Sequence, residues 1–245
     1  PEEIPTQANG EDYTSKIQKA KHLIAGFEYD VTNNIDFQLE AYVKDFNQLT
    51  NINRNMTSND DETFIIETGV AKGIDALLKY NTKKLYLWFV YSLGEVLRND
   101  GIREYSPHFD RRHNVNFVTS YKFGKKLDWK FDARWNLGSG FPFTQTQGFY
   151  ENITFSNGIN TDYTTANGDL GIQYAELNQG RLPYYHRLDL SLAKDFKFKN
   201  NTNLNITASV TNAYNRENIF YFNRVKYERV NQLPLMPSLG MSLSF

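Results

Sequence analysis

Leu127-Asp128-Trp129-Lys130-Phe131-Asp132-Ala133-Arg134-Trp135-Asn136-Leu137 is the stretch on which the fold turns. Leu127, Trp129, Phe131, Ala133, Trp135 and Leu137 are apolar, and each residue between them is charged or an amide. A helix would scatter the apolar set around its axis. A strand, whose side chains alternate, puts all of it on one face. Soluble strands usually run about 5 to 6 residues, and this one is about twice that.

The same period recurs on both sides. Leu204, Ile206, Ala208 and Val210 oppose Asn203, Asn205, Thr207 and Ser209, while Leu188, Leu190, Leu192, Phe196 and Phe198 oppose Arg187, Asp189, Ser191 and Asp195, with Lys194 the one break. Leu23, Ala25, Phe27, Tyr29 and Val31 share a face, as do Ile35, Phe37, Leu39, Ala41 and Val43. The pattern predicts about nine strands, near 18–31, 35–48, 63–80, 84–98, 110–123, 127–138, 185–198, 203–213 and 235–245, each end good to ~2 to 4 residues. Tight turns join them in pairs at Thr32-Asn33-Asn34, Asn81-Thr82-Lys83, Gly124-Lys125-Lys126 and Lys199-Asn200-Asn201-Thr202. Between the pairs lie long polar stretches, Gln48 to Glu62, Asn99 to Phe109, Ser139 to Tyr184 and Asn215 to Pro234. Short and long connections therefore alternate strictly. A soluble sandwich or β-helix has no reason to sort its loops so, whereas a transmembrane barrel does.

Composition agrees. Among 245 residues, 27 basic side chains meet 28 acidic ones, and a net charge of -1 argues against a nucleic-acid partner. Cysteine is absent, which excludes disulfides, thiolate metal sites and cysteine nucleophiles. The chain carries 18 Phe, 16 Tyr and 3 Trp, yet no stretch approaches the roughly 20 apolar residues of a membrane helix. A mean hydropathy of -0.59 fits a barrel wall, in which lipid-facing and lumen-facing residues alternate. Pro1 to Asp12 has no export-signal pattern, so any such signal is expected upstream. Tyr29, Tyr121, Phe123, Trp135, Phe196, Phe198 and Phe245 fall near strand ends on the apolar face, where interfacial girdles sit. The last strand alternates Leu239, Met241, Leu243 and Phe245 with Gly240, Ser242 and Ser244. Phe245, an outward aromatic on an edge strand, is the expected assembly signal.

Several segments also carry a family resemblance. Asp110-Arg111-Arg112-His113-Asn114 opens one strand, Gly138-Ser139-Gly140-Phe141-Pro142 closes another, and Tyr185-His186-Arg187-Leu188-Asp189 opens a third. Thr211-Asn212-Ala213-Tyr214-Asn215 precedes the last loop, and Leu233-Pro234-Leu235-Met236-Pro237-Ser238-Leu239-Gly240 leads to Phe245. Together, from residue 18 to 245, these resemble the C-terminal barrel of TonB-dependent outer-membrane receptors of the Bacteroidetes type. The resemblance implies an all-β, antiparallel transmembrane β-barrel segment, with these nine strands part of a barrel of about 22 whose lumen is plugged. Residues 1–17 would then be an extracellular loop remnant and 139–184 and 215–234 long extracellular loops, with the plug and the N-terminal strands outside this chain. Nine is odd and barrels of this kind use even numbers, so the segment should leave both edges open.

Implied function follows the same line. The chain is expected to be the barrel portion of an active importer of a scarce nutrient in the bacterial outer membrane, not an enzyme. The alternatives are a non-transporting scaffold barrel in an envelope complex, or a passive porin or outer-membrane enzyme. Implied partners are the upstream plug and strands of the same polypeptide, TonB through that plug, outer-membrane lipid, and a surface lipoprotein lid; no nucleic acid is implied.

No catalytic, cofactor or metal residue is assigned. His22, His108, His113 and His186 lack metal-ligand spacing. Gly138-Ser139-Gly140 precedes no helical pattern and reads as a strand exit rather than a phosphate loop. Lumen-facing Asp128, Lys130, Asp132, Arg134, Arg187 and Asp189 are expected to pair with one another or with the plug. The stretch from Ser139 to Tyr184, rich in Asn, Gly, Thr and Tyr, is the best candidate for ligand contact, although no single ligand-binding residue stands out.

Overall fold

The structure, a computed structural model, describes residues 3–8, 11–54, 63–152, 168–198 and 202–245. Within these, every regular element is a strand. β1 (Glu3–Ala8) and β2 (Glu11–Lys16) form a hairpin, and β3 (Lys19–Thr32), β4 (Ile35–Ile52), β5 (Phe64–Asn81) and β6 (Leu85–Asn99) follow. Next come the short β7 (Glu104–Tyr105), then β8 (His113–Phe123) and β9 (Trp129–Gly138). A long connection holds β10 (Pro142–Phe143), β11 (Thr146–Asn152), β12 (Asp169–Tyr174) and β13 (Gly180–Arg181). β14 (Tyr185–Lys197), β15 (Asn203–Thr211), β16 (Ile219–Asn223), β17 (Glu228–Asn231) and β18 (Met236–Ser244) complete the chain.

Nine strands form one antiparallel wall in the order β18-β15-β14-β9-β8-β6-β5-β4-β3, with β7 attached beside β6. These are the nine strands that the alternation predicts. β3 and β18 each pair on one side only among the described residues, so the wall is open at both edges, as expected.

Register carries the apolar residues across the wall in rows. Tyr29 opposes Phe37, which continues through Leu78, Phe89, Phe117 and Trp135 to Leu188. Two rows nearer the short turns, Leu85, Tyr121, Phe131, Leu192, Ala208 and Leu239 line up in the same way. Among the described residues no core lies behind these rows. Tyr105 and Ala193 are the only buried hydrophobic residues described, whereas Leu23, Met241 and Leu239 are 73%, 75% and 77% exposed. From Phe198 to Leu188, ten residue steps of about 3.3 Å tilted by about 40° climb about 25 Å, the height of a membrane-facing apolar band.

The opposite face is polar and bonded along and across strands. Lys79 meets Asp36 at 3.3 Å, Lys130 meets Asp132 at 3.0 Å, and Arg187 meets Asp189 at 2.8 Å. Asn205 donates to Asp195 at 2.8 Å, and Asn136 to Asn116. On this face Tyr42 lies over two glycines that oppose each other, Gly73 and Gly94. A Cβ at Gly73 would stand 2.5 Å from the Tyr42 hydroxyl and 2.7 Å from the Leu93 carbonyl oxygen, so only glycine admits the ring.

Four details depart from the sequence reading. β9 begins at Trp129, because Leu127 has φ 51° and its N–H donates to the Gly124 carbonyl, which places it in the turn and not on the apolar face. Asp128 consequently pairs with Lys194 at the rim, not with another lumen charge. Lys194 itself occupies the apolar face, and its ammonium sits 4.6 Å from the Trp129 ring and 5.6 Å from the Phe196 ring while reaching that carboxylate. A long stem carrying its charge to the boundary explains the break in the pattern. β4 runs to Ile52, into the expected loop, past a bulge between Phe46 and Leu49, whereas β5 keeps its expected bounds to within a residue. The long connections, finally, contain ribbons: β11 pairs with β12, β10 with β13, and β16 with β17. Most of the expected turn at Lys199-Asn200-Asn201-Thr202 lies outside the described residues.

Candidate functional site

The strand ends that short connections join lie at one rim of the wall, and those that long connections join lie at the other. At the long-loop rim, four segments far apart in sequence converge on one cleft of about 460 Å³. They are the segments around Arg111, Gly138 to Phe141, Tyr185 to His186 and Tyr214, each quoted above for its family resemblance. Arg216, Asn218 and Arg229 close the cleft from the last loop.

Arg111 is its central side chain. The guanidinium stacks 4.1 Å from the centre of the Phe141 ring and 5.8 Å from that of Tyr185. It occupies space that a side chain at Gly138 would fill, since a Cβ there would lie 2.3 Å from an Arg111 nitrogen. Among the described residues no carboxylate pairs with it, and its buried Nε has no hydrogen-bond partner there. Burial holds its pKa below the ordinary arginine value, and the nearby Tyr185 raises it only in part. Arg216 is similar: one terminal nitrogen donates to the Tyr184 carbonyl at 2.9 Å, and its buried Nε is unpartnered. Arg229 is paired with Glu217. Two half-buried cations without acids thus share one cleft with Phe141, Tyr185 and Tyr214. Such a site suits an anionic ligand with flat, polarisable surface.

The cleft is held by buried polar residues. Asp110, 1% exposed, accepts the Val96 N–H at 2.8 Å and pairs with Arg181 at 2.6 Å, tying the loop after β9 to β6. Ser139 and His113 exchange bonds, Ser139 N–H to the His113 carbonyl at 2.8 Å and His113 N–H to Ser139 Oγ at 3.0 Å. Asn218 does with its side chain what a strand does with its backbone: it accepts the His186 N–H at 3.2 Å and donates to the His186 carbonyl at 3.0 Å. Asn212 is fully buried in a left-handed conformation, φ 55°, donating to the Arg216 and Leu233 carbonyls and accepting the Arg216 N–H. Elsewhere at this rim Glu67, 1% exposed, accepts the Tyr105 hydroxyl at 2.8 Å and an Asn51 amide N–H at 3.0 Å, anchoring β7. Burial raises the Tyr105 pKa, and its bond to Glu67 raises it further.

The expected contact loop, Ser139 to Tyr184, supplies Ser139, Gly140, Phe141, Leu182, Pro183 and Tyr184 to the cleft; its residues 153–167 lie outside those described. Arg111 and Arg216 carry no ligand signal in the sequence, because neither makes a spacing pattern and their proximity exists only once β8 and β14 are neighbours of β9. His186 and Tyr214 come together at 2.7 Å, and His113 stacks on Tyr91 with a 2.9 Å bond; His22 packs edge-on against Phe46. No cluster of metal-binding side chains occurs among the described residues. Phe245 follows β18 at the short-turn rim, 98% exposed, continuing the outward parity of Leu243.

No family model and no curated protein matches the chain. Solved structures do. The chain resembles the ferric-catecholate import receptor Fiu of E. coli K12 in its closed form, with TM-score 0.61 at 14% identity over 91% of this chain. It resembles equally the ferripyoverdine receptor of the Pseudomonas aeruginosa outer membrane bound to ferripyoverdine, with TM-score 0.61 at 11% identity over 93% of this chain. The chain spans 27% of each of those receptors. At these identities the likeness shows the fold: the wall is folded like a segment of the barrels of those two proteins.

Proposed function

We propose that this chain is the C-terminal barrel portion of a TonB-dependent outer-membrane receptor of the Bacteroidetes type, in a protein that imports a scarce, anionic nutrient. One observation carries the reading: an apolar face continuous across nine strands, backed by no core, with every long loop at one rim. Exposed apolar surface of this extent would aggregate in water and is at home in hydrocarbon. The long-loop rim is the extracellular mouth, and the cleft around Arg111 and Arg216 is its ligand contact. Partner strands, about thirteen for a barrel of about 22, and the plug that meets TonB come from the same polypeptide. An unpaired edge facing lipid costs several kcal/mol per exposed group, which is why the wall needs them.

The test is uptake by cells expressing the whole protein, with and without TonB. Uptake lost with TonB supports the importer. Binding at the surface with uptake indifferent to TonB would turn the reading into a scaffold barrel. Orientation has its own check: protease added to intact cells should cut within 139–184 and spare Asn33, Thr82 and Lys125. Deleting Phe245 should lower the amount of assembled barrel several-fold more than replacing Ser244, which faces the lumen.

A further inference from the structure

The lipid-facing side of the wall carries a depression of about 510 Å³ near the long-loop rim. Its walls are Leu23, Val43, Ile74 and Leu93, and its floor lies low because Ala25 and Ala41, cross-strand partners, are small. At its upper end, toward the long loops, stand Lys72, Glu95 and Arg112. Glu95 is bonded to both cations, to Lys72 at 2.9 Å and to Arg112 at 2.8 Å. Two positive charges therefore share one negative charge, and a net positive charge is left over. Lys72 is 57% exposed and Arg112 37%, so both can meet a further anion.

Height along the wall gives this arrangement its meaning. In β6 the outward residues run Leu85, Leu87, Phe89, Tyr91 and Leu93 before Glu95 appears. The ten steps from Leu85 to Glu95 climb about 25 Å, which puts the charged group where the apolar band ends and headgroups begin. An apolar hollow below a cationic lip at that level complements one shape of molecule, an acyl chain hanging from a phosphate.

We propose that this depression binds a phosphorylated lipid of the leaflet on the long-loop side, with an acyl chain lying over Ala25 and Ala41 and the phosphate on Lys72 and Arg112. The proposal rests on the membrane-barrel reading above. Each cation near a membrane surface is worth about tenfold or less in affinity for an anionic lipid, so losing both should weaken binding by about thirtyfold. Glu95 opposes the phosphate, and its neutralisation should act in the other direction.

The experiment uses the full-length protein in detergent, its folded state checked by heat-modifiable migration, with diphosphorylated lipid A as probe and bound lipid counted by native mass spectrometry. K72Q/R112Q should weaken binding about thirtyfold, E95Q should tighten it severalfold, and A41F, which fills the hollow and leaves the charges, should weaken it. Inorganic phosphate should not compete, and dephosphorylated lipid A should bind about thirtyfold more weakly than lipid A, which separates the lipid from its headgroup anion alone. Folded variants that all bind like the native protein would overturn the proposal, as would E95Q weakening binding as much as K72Q/R112Q. A protein that fails to insert into membranes at all would instead overturn the barrel reading.

Discussion

Phe123 lies between Tyr121 and Trp129 at the short-turn rim, nearly parallel to both, with ring centres 5.8 and 5.9 Å away. Asn212 lies at the opposite rim, fully buried, with three side-chain hydrogen bonds to backbone groups of the loop it holds. The first rim is closed by sequence-local turns and lipid-facing rings. The second is held by Glu67, Asp110, Ser139, Asn212 and Asn218, the buried polar residues of the described structure. Rings suit a boundary that faces lipid on one side and water on the other. Buried amides and carboxylates suit loops that must keep one shape with no hydrophobic core beneath them, because a buried backbone group left unbonded is costly.

The contrast can be broken most sharply at Asn212. Asn212→Ala in the whole protein removes partners from the Arg216 N–H and the Arg216 and Leu233 carbonyls and leaves alanine in a left-handed conformation, so local stability should fall by about 3 kcal/mol. Amide exchange between residues 212 and 235 reads it; unchanged exchange there would mean the loop is held by something else. Asp110→Ala should cost about 2 kcal/mol, less because Arg181 is 38% exposed and can be rehydrated. The Val96 amide, which donates to that carboxylate, should lose its protection first.

Phe123→Ala tests the other rim. The two stacks are worth about 1 kcal/mol beyond area, and the loss should stay confined to the β8–β9 turn without altering protease access to 139–184. A change in that access would show the rims to be coupled.

Acid gives the smallest effect. Asp100, in the loop after β6, is nearly buried, which by itself raises its pKa, but the N–H groups of Arg103 and Ile102 and the Arg103 guanidinium outweigh this and hold it below the usual carboxylate value. A folded pKa below the unfolded one stabilises the loop above the ordinary carboxylate range, and that contribution disappears as pH falls through the folded value. Exchange at Ile102 and Arg103 should therefore quicken only under strong acid, and a transition near neutrality would exclude Asp100 as its cause.

The wall was legible because period two is written residue by residue, as in Phe131-Asp132-Ala133-Arg134. Leu127 misled because parity does not reveal where a turn ends, and a left-handed leucine has no sequence signature. Lys194 breaks the alternation in sequence, and the reason, Trp129, Phe196 and Asp128 around its ammonium, exists only in the folded wall. The segments that line the cleft were legible one by one, but their meeting was not. Asp110 and Arg181 are 71 residues apart, and Asn218 imitates a strand by its side chain, which no backbone pattern predicts.

Every strand of the wall pairs with its nearest wall neighbours in the sequence, so no connection has to cross another. The 46 residues between β9 and β14 and the 5 between β8 and β9 thus perform the same topological task. Closing the longer loop costs only about 2 kcal/mol more entropy, since the cost grows with the logarithm of length. Much of the long loop then shortens itself through the β11–β12 ribbon. The wall can therefore zip hairpin by hairpin at a rate set by local contacts, and the mouth can be lengthened or rewritten with little penalty to assembly.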